Sequence, residues 1–232
     1  MNARPGSVSF DPRRAAVLVI DMQNDFGAEG GMFQRAGIDI TGISAAVAAT
    51  VPVVAAARAT GIPVVYLKME HAADLADAGP ADAPHWIKHL PLGVGAAVNA
   101  PDGTPSRILV RDTWNTEVMD ALAPEPGDHV VSKHRYSGFF QTELDQVLRN
   151  LDAKHLLVTG CTTSVCVEST VRDAMFRDYS CIVLADCTAE PIGSGLPRSN
   201  HEASLLVMET LFGWVSTSDA FLAALAPHAL PA

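Results

Sequence analysis

The sequence has no hydrophobic run long enough to cross a bilayer and no recognisable export signal. Its longest apolar runs, Ala15 to Ile20 and Val51 to Ala57, fall well short of the about 20 residues that a membrane-spanning helix needs. The N-terminus contains arginines but no apolar stretch behind them, which does not predict a signal peptide. We therefore expect a cytoplasmic protein with no membrane partner.

Basic residues are also few. The chain has 16 Lys and Arg against 26 Asp and Glu, for a net charge of −10, and the basic residues form no patch or stripe. Because nucleic-acid binding needs clustered cations to neutralise phosphates, we expect no nucleic-acid partner. Hydrophobic residues make up 48% of the chain, which excludes intrinsic disorder. A small-molecule substrate is the expected partner.

Cysteines are few, and they lack the spacing of a metal or redox motif. The four are Cys161, Cys166, Cys181 and Cys187, without a Cys-x-x-Cys pair. A chain of 232 residues without an export signal does not need disulfides, so we expect reduced thiols. No Gly-x-Gly-x-x-Gly follows a predicted strand, so a dinucleotide-binding oxidoreductase is not expected.

Short β-branched runs alternate with amphipathic stretches along the chain, which predicts a parallel sheet covered by helices on both faces. The predicted strands are Ala15 to Asp21, Pro63 to Lys68, Asp128 to Ser132, His155 to Thr159, Ser180 to Ala185 and Gly213 to Ser216. The predicted helices are Gly42 to Thr60, Thr142 to Asn150, Val165 to Arg177, Ser199 to Leu211 and Ser218 to Ala224. We expect one three-layer α/β/α, Rossmann-like domain over residues 1–232, with a mostly parallel six-stranded sheet.

The segment from His71 to Asp112 does not fit this alternation. It is rich in Ala, Pro, Gly and Asp and is much longer than an ordinary connection, so we expect a loop excursion. Such a loop in an α/β domain is usually functional. A surface excursion that pads an oligomer contact is the alternative.

Three residues at strand ends could carry chemistry, because ligands of open parallel sheets bind beyond the carboxyl ends of the strands. Asp21 ends the first strand and either works chemically or caps the next turn. Lys133 ends the third strand, where a lysine is normally just solvated. Cys166 follows the fourth strand, where a helix N-terminus would lower a thiol's pKa and supply oxyanion donors. A buried cysteine is more often packing.

Together these residues resemble a known family. Asp21 in DMQNDF, Lys133 in SKHRYSGFF and Cys166 in GCTTSVCVEST resemble, in order and context, the isochorismatase-like cysteine hydrolases, from about Ala15 to Ala224. The strings KHRYSGFFQTELDQVLR, CVESTVRDA and ETLFGWVS look most like the ureidoacrylate amidohydrolases. Biuret hydrolases and N-carbamoylsarcosine amidases are near relatives.

The resemblance implies a mechanism. Cys166 would attack a carbonyl, Lys133 would stabilise its thiolate, and Asp21 would carry the thiol proton to the departing amine. Water would then hydrolyse the thioester acyl-enzyme. The resemblance also implies a cis peptide between Cys161 and Thr162, and an oxyanion hole formed by the backbone N–H groups of Thr162 and Cys166. It implies a homo-oligomer, dimer or tetramer, and no cofactor.

One departure from a related subgroup bears on metal binding. Similar nicotinamidases bind a metal through an Asp and two His after the second strand, whereas here that place reads KMEHAAD, with only His71. We therefore expect no metal site. Isochorismatases proper generally lack the nucleophilic cysteine, so Cys166 favours amide chemistry.

Six residues near the three candidates are expected to contact the substrate: Gln23, Asn24, Glu70, His71, Tyr136 and Phe139. The two aromatic rings would stack on a planar ureido or amide group, although Phe139 could equally pack in the core. Gln23 and Asn24 would offer amide hydrogen bonds or act only as turn residues. His71 and Glu70 could face the substrate or be surface residues.

The resemblance thus implies an amidohydrolase that cleaves a C–N bond of a small ureido, carbamoyl or linear amide compound. Hydrolysis of biuret or of an N-carbamoyl amino acid is the nearest alternative, since one fold hosts several substrates. A non-catalytic binding protein with a redox-sensitive Cys166 is the alternative from another class.

Overall fold

The computed structural model describes residues 1–192, 197, 199–209 and 213–225. The strands are β1 Ala15–Ile20, β2 Val64–Met69, β3 Ala97–Asn99, β4 Pro105–Arg107, β5 His129–Lys133, β6 His155–Cys161, β7 Ser180–Ala189 and β8 Gly213–Ser216. Six of them form one sheet in the order β5, β2, β1, β6, β7, β8, with every neighbouring pair parallel. The predicted six-stranded sheet is confirmed, and it is parallel throughout.

Helices cover both faces of this sheet. They are α1 Asn24–Gly27, α2 Met32–Arg35, α3 Thr41–Ala59, α4 Pro84–His89, α5 Leu144–Asn150, α6 Glu168–Met175, α7 Asn200–Val207 and α8 Ser218–Leu225. α3 and α8 share a hydrophobic core with one face, whereas α5, α6 and α7 share the core on the other. This confirms the three-layer α/β/α class. Thr210 and Leu211, at the end of one predicted helix, lie outside the described residues.

Strand β1 shows why the sequence predicts a doubly covered sheet. Val17 and Val19 belong to the core on one face, and Leu18 and Ile20 to the core on the other. All four side chains are at most 1% exposed. Because side chains alternate between faces, a strand buried on both must be apolar at every position.

Helix α3 is long and apolar enough to span a membrane by length and composition alone. Its buried residues are Ile43, Ala46, Val47, Thr50, Val53, Val54 and Ala57. This spacing of three to four residues makes one helix face, which packs on the sheet and on α8. We therefore interpret α3 as a core helix.

The strand order changes direction between β1 and β6, because the chain runs from β1 outward to β2 and β5 and then returns to β6. Gly160 pairs with Ile20 across this junction. The φ of Gly160 is +129°, and an added Cβ would lie 2.2 Å from the Ile20 carbonyl oxygen. Only glycine allows this close approach, which brings the end of β6 beside Asp21.

The segment between residues 71 and 112, called the excursion below, is more ordered than the predicted loop. It contains α4, two 3-10 turns at Ala76–Ala78 and Leu90–Leu92, and the antiparallel hairpin of β3 and β4. It returns to the end of β2, where the His71 N–H donates to the Leu109 carbonyl at 2.8 Å. The short helix, turns and hairpin were not predicted, because these elements are too short to show a period in the sequence.

The helix after β6 also differs from the prediction. A regular helix was expected from Val165 to Arg177, whereas the structure has a π-helical turn over Thr163–Val167, followed by α6. Cys166 therefore lies in the π-helical turn and not in the first turn of a regular helix. Such turns are rare and often mark functional sites.

Candidate active site

Asp21, Lys133 and Cys166 meet at the carboxyl edge of the sheet. The Lys133 ammonium lies 2.7 Å from Asp21 Oδ2 and 3.4 Å from Cys166 Sγ. Asp21 and Lys133 are at most 1% exposed, and Cys166 is 7% exposed. An acid, a cation and a thiol thus form one buried cluster, which is called the triad cluster below.

Three strands place these side chains. Asp21 follows β1 with φ 53°, in the left-handed region that non-glycine residues rarely adopt, and this turns it out of the strand. Lys133 ends β5 and is separated from β1 by β2, so its long side chain passes Met69 at the end of β2, with 3.8 Å between Nζ and Sδ. The Arg135 carbonyl accepts a further hydrogen bond from Nζ at 3.3 Å. Cys166 approaches from the turn after β6.

Burial dominates the electrostatics of the triad cluster. It raises the pKa of the Asp21 carboxyl, which Lys133 only partly opposes. Burial alone would lower the pKa of Lys133, but Asp21 and Cys166 outweigh it and raise that pKa. Burial also raises the pKa of the Cys166 thiol, against the opposing effect of Lys133. The expected lowering of the thiol pKa is therefore wrong, and the resting thiol is neutral.

The π-helical turn that carries Cys166 is anchored by two distant residues. The Ser164 backbone N–H donates to Glu190 Oε2 at 2.9 Å, and Thr163 Oγ1 is hydrogen-bonded to His201 Nδ1 at 2.9 Å. The peptide bond that precedes the turn, between Cys161 and Thr162, is cis, as the resemblance implies. Glu190 and His201 were not predicted, because nothing in the sequence links them to a turn more than 20 residues earlier.

A cavity of about 250 Å³ opens onto Cys166. It is lined by Phe26, Met32, Phe33, Ile38, Met69, Lys88, His89, Leu92, Tyr136, Thr162, Val165, Cys166 and Ile192. Of the predicted substrate contacts, only Tyr136 lies in this lining, together with the predicted oxyanion residue Thr162. The cavity is of a size to hold a small molecule against the thiol.

Gln23 and Asn24 do not line the cavity. The Gln23 side-chain amide donates to the carbonyls of Met69 and Thr116 at 3.1 and 3.0 Å and accepts from the Met69 N–H at 2.8 Å. The Asn24 amide donates to the Trp114 carbonyl at 2.8 Å. Their polar atoms therefore bind the protein backbone, an arrangement that supports a structural role.

Glu70, His71 and Phe139 are also absent from the lining. Glu70 forms ion pairs with Lys68 and Arg111, each at 3.0 Å. Phe139 stacks on Tyr179 at 5.9 Å between ring centroids and belongs to the core of α5 and α6. The geometry thus favours the packing alternative for Phe139.

Asp25 is a buried acid that the sequence analysis missed. Its carboxylate accepts hydrogen bonds from the Met32 N–H at 2.9 Å, the Leu109 N–H at 2.7 Å and the Asn115 amide. These bonds join α2, which lines the cavity, to the excursion. Burial raises the pKa of Asp25 to about 6, although the three donors lower it. An acid four residues after Asp21 was the available signal.

A cluster of aromatic side chains in the excursion extends from β2 to the cavity wall. The His71 ring lies 6.0 Å from His85, which lies 4.1 Å from His89 and 5.5 Å from Tyr136. His71 Nδ1 is 3.0 Å from Asp77 Oδ1. Burial lowers the pKa of all three histidines, that of His85 to about 3.

No group of three or more His, Cys, Asp or Glu side chains within the described residues is placed to hold a metal ion. The absence of a metal site stays a prediction.

A parallel sheet covered on both faces, with its cavity where the strand order changes direction, is the arrangement of doubly wound α/β folds, whose ligands bind at such a point. The Isochorismatase domain model matches residues 15–220. Over 231 residues the chain is 41% identical to the ureidoacrylate amidohydrolase RutB of Methylobacterium radiotolerans, covering 99% of this chain and 87% of that protein.

Two solved structures share this fold. A cysteine hydrolase from Pseudomonas syringae pv. phaseolicola is 30% identical with a TM-score of 0.78, covering 96% of this chain and 97% of that one. The N-carbamoylsarcosine amidase of Thermoplasma acidophilum is 26% identical with a TM-score of 0.64, covering 89% and 97%.

The chain belongs to the isochorismatase family. It is an amidohydrolase of that family, acting on carbon–nitrogen bonds other than peptide bonds.

Proposed function

We propose that this enzyme hydrolyses a small ureido compound, ureidoacrylate or a close analogue, with Cys166 as the nucleophile. The observation that carries the proposal is the position of the Lys133 ammonium, 2.7 Å from the Asp21 carboxylate and 3.4 Å from the Cys166 sulfur. A carboxylate and an ammonium beside a thiol supply both a proton acceptor and a charge that stabilises the thiolate.

Because burial keeps the resting thiol neutral, its proton must move as the bond to substrate forms. The proton of Cys166 passes to Asp21, whose pKa is raised, while Sγ attacks the ureido carbonyl carbon. Lys133 stabilises the sulfur as it becomes anionic. The C–N bond then breaks, and the departing nitrogen takes the proton from Asp21.

The acyl group is now bound to Cys166 Sγ as a thioester. The backbone N–H groups of Thr162 and Cys166 stabilise the oxyanion of each tetrahedral intermediate. Water attacks the acyl carbon, Asp21 accepts a proton from that water, and the proton returns to the sulfur as the C–S bond breaks. The products are the departed amine and a carbamic acid, which loses carbon dioxide to give ammonia, and the thiol is regenerated.

The 41% identity to a ureidoacrylate amidohydrolase over nearly the whole chain supports ureidoacrylate as substrate. The likeness to an N-carbamoylsarcosine amidase supports an N-carbamoyl amino acid as the second candidate. Both compounds present a carbamoyl carbon to the thiol, so the same steps serve either.

Three broader expectations stay predictions: one domain, a cytoplasmic location and a homo-oligomer, dimer or tetramer. The four cysteines, all free and buried in the structure, support a reducing compartment.

Ammonia release from ureidoacrylate, biuret, N-carbamoylsarcosine and nicotinamide, with and without EDTA, tests the proposal. We expect the highest kcat/KM with ureidoacrylate and no effect of EDTA. Turnover of biuret or N-carbamoylsarcosine alone would reassign the substrate within the family. Activity that EDTA abolishes, or none with any ureido compound, would contradict the proposal.

A further inference from the structure

The cavity beside Cys166 is mostly apolar. Of the thirteen described residues that line it, eight are Phe, Met, Ile, Leu or Val, and none is Asp or Glu. Because these residues include no carboxylate to neutralise a positively charged substrate, they suit a neutral or an anionic one.

Lys88, in α4 of the excursion, also lines this cavity. Within the described residues its ammonium forms no ion pair. Two other cations, Lys133 and the Arg135 whose carbonyl it contacts, are already engaged: Lys133 pairs with Asp21, and Arg135 donates to the carbonyls of Asp77 and His134 at 2.9 and 2.6 Å. Lys88 is exposed, so its ammonium is available to a ligand that enters the cavity.

The neighbouring His89 adds no second charge at neutral pH. It lies in the same cavity wall, where burial lowers its pKa, and its Nδ1 is held 2.7 Å from the His85 carbonyl oxygen. A neutral imidazole can still hydrogen-bond a ligand, but it does not select for ligand charge.

We infer that Lys88 is a specificity-determining residue that binds a carboxylate of the substrate while Cys166 faces its ureido carbon. The inference rests on the proposed function, which it deepens by naming the substrate class: a ureido or carbamoyl acid with a short apolar link between its two ends. Lys88 and Cys166 both line one small cavity, and a link of a few carbons would lie against Phe26, Phe33 and Leu92.

Calorimetric binding to an inactive chain tests this class without depending on turnover. The probes are ureidoacrylate and its methyl ester, which carry the same ureido group and differ in charge. In a Cys166→Ala background, we expect Lys88→Met to weaken binding of the acid by about tenfold and to leave binding of the ester within about twofold. Lys88→Arg should restore the acid to within about threefold.

Lys154→Met is the matched control, because Lys154 precedes β6 at the opposite edge of the sheet and its ammonium donates to the Asp178 carbonyl. It should leave both binding constants unchanged. In the active chain, Lys88→Met should raise KM for the acid and leave kcat within about threefold, since Lys88 does not contact the reacting atoms.

The inference is overturned if Lys88→Met weakens acid and ester equally, if it weakens neither, or if the acid does not bind. Its failure is distinguishable from that of the proposed function. Acid that binds through Lys88 to a chain which never releases ammonia would retain the inference and remove the function. If the acid is hydrolysed and Lys88→Met does not change KM, the proposed function stands and the inference about Lys88 is wrong.

Discussion

The triad cluster and the cavity wall are built in different ways. Asp21 and Lys133 directly end or follow strands of one parallel sheet, whose ladders fix their backbones, and Cys166 follows a third strand. The part of the wall that contains Lys88 belongs to the excursion, whose short elements are joined to the rest by side chains such as Asp25. If both proposals hold, the reaction depends on residues that the sheet edge places, and substrate choice depends on a residue that the excursion carries.

Removing Lys133, the charge partner of Asp21, should have the largest effect on stability and activity. Lys133→Met leaves the buried Asp21 carboxylate without its ion pair, which we expect to cost about 3 to 5 kcal/mol of unfolding free energy and to abolish activity. Urea unfolding followed by circular dichroism measures the loss. The double variant Asp21→Asn with Lys133→Met removes both charges and should regain part of the stability but no activity. A single Lys133→Met variant as stable as wild type would contradict the ion-pair account.

The stability of the cavity wall should depend on pH through Asp25, which joins α2 to the excursion. Its folded pKa of about 6 lies above its ordinary value of 3.8, so between these values the folded chain holds a proton that the unfolded chain has lost. The free energy of unfolding should therefore fall as pH rises from 4 to 6, by as much as about 3 kcal/mol from this group. Asp25→Asn should remove that part of the slope. Equal slopes in both chains would show that Asp25 titrates normally.

Deleting the same side chain should loosen the wall more than the sheet edge. Asp25→Ala leaves the Met32, Leu109 and Asn115 donors without a partner, which costs about 1 to 3 kcal/mol each. The same change removes a buried carboxylate, which is itself unfavourable. We therefore expect the free energy of unfolding to fall by about 2 kcal/mol at pH 7. Hydrogen exchange should accelerate at the Leu109 amide before it does in β1. Asp102→Ala, an exposed acid in the β3–β4 hairpin that bonds only its own turn, should stay within about 0.5 kcal/mol of wild type. If the amides of β1 exchange faster before the Leu109 amide does, Asp25 stabilises the sheet edge more than the cavity wall.

The smallest expected effect is that of Phe139→Leu, which tests whether Phe139 packs in the core or contacts the substrate. Phe139→Leu removes the stacking on Tyr179 and the contact with the Arg177 guanidinium, 4.8 Å from the ring centroid, at a cost of about 1 kcal/mol. KM for ureidoacrylate should not change. Tyr136→Leu, at a ring that does line the cavity, should raise KM. A raised KM for Phe139→Leu would return that residue to the substrate site.

The sheet was predictable because its signals are local, whereas the grouping of Asp21, Lys133 and Cys166 into one site came from the resemblance to a family. Apolar runs predict strands, and parallel strands place the residues that follow them at one edge, so Asp21, Lys133 and Cys166 meet there. The π-helical turn was not predictable, since Thr163 and Ser164 are held by His201 and Glu190, whose approach depends on the tertiary fold.

The cavity wall and the protonation state of the Cys166 thiol could not be predicted from the sequence for a related reason. Lys88 and Phe26 are far apart in the chain and share a cavity only because the excursion folds back over α1 and α2. A helix N-terminus suggested a lowered pKa for Cys166, whereas burial, which depends on the whole fold, raises it.

The most direct test of the central claim compares two cysteines. Cys161 is buried in the strand that leads to Cys166, and its thiol donates to the Asp21 carbonyl at 3.1 Å, so it controls for the loss of a buried sulfur. We would measure kcat/KM for ammonia release from ureidoacrylate by Cys166→Ala and Cys161→Ala, each shown to be folded by circular dichroism. The account predicts a loss of about a thousandfold or more for Cys166→Ala and less than about tenfold for Cys161→Ala. A Cys166→Ala chain with wild-type kcat/KM would contradict it.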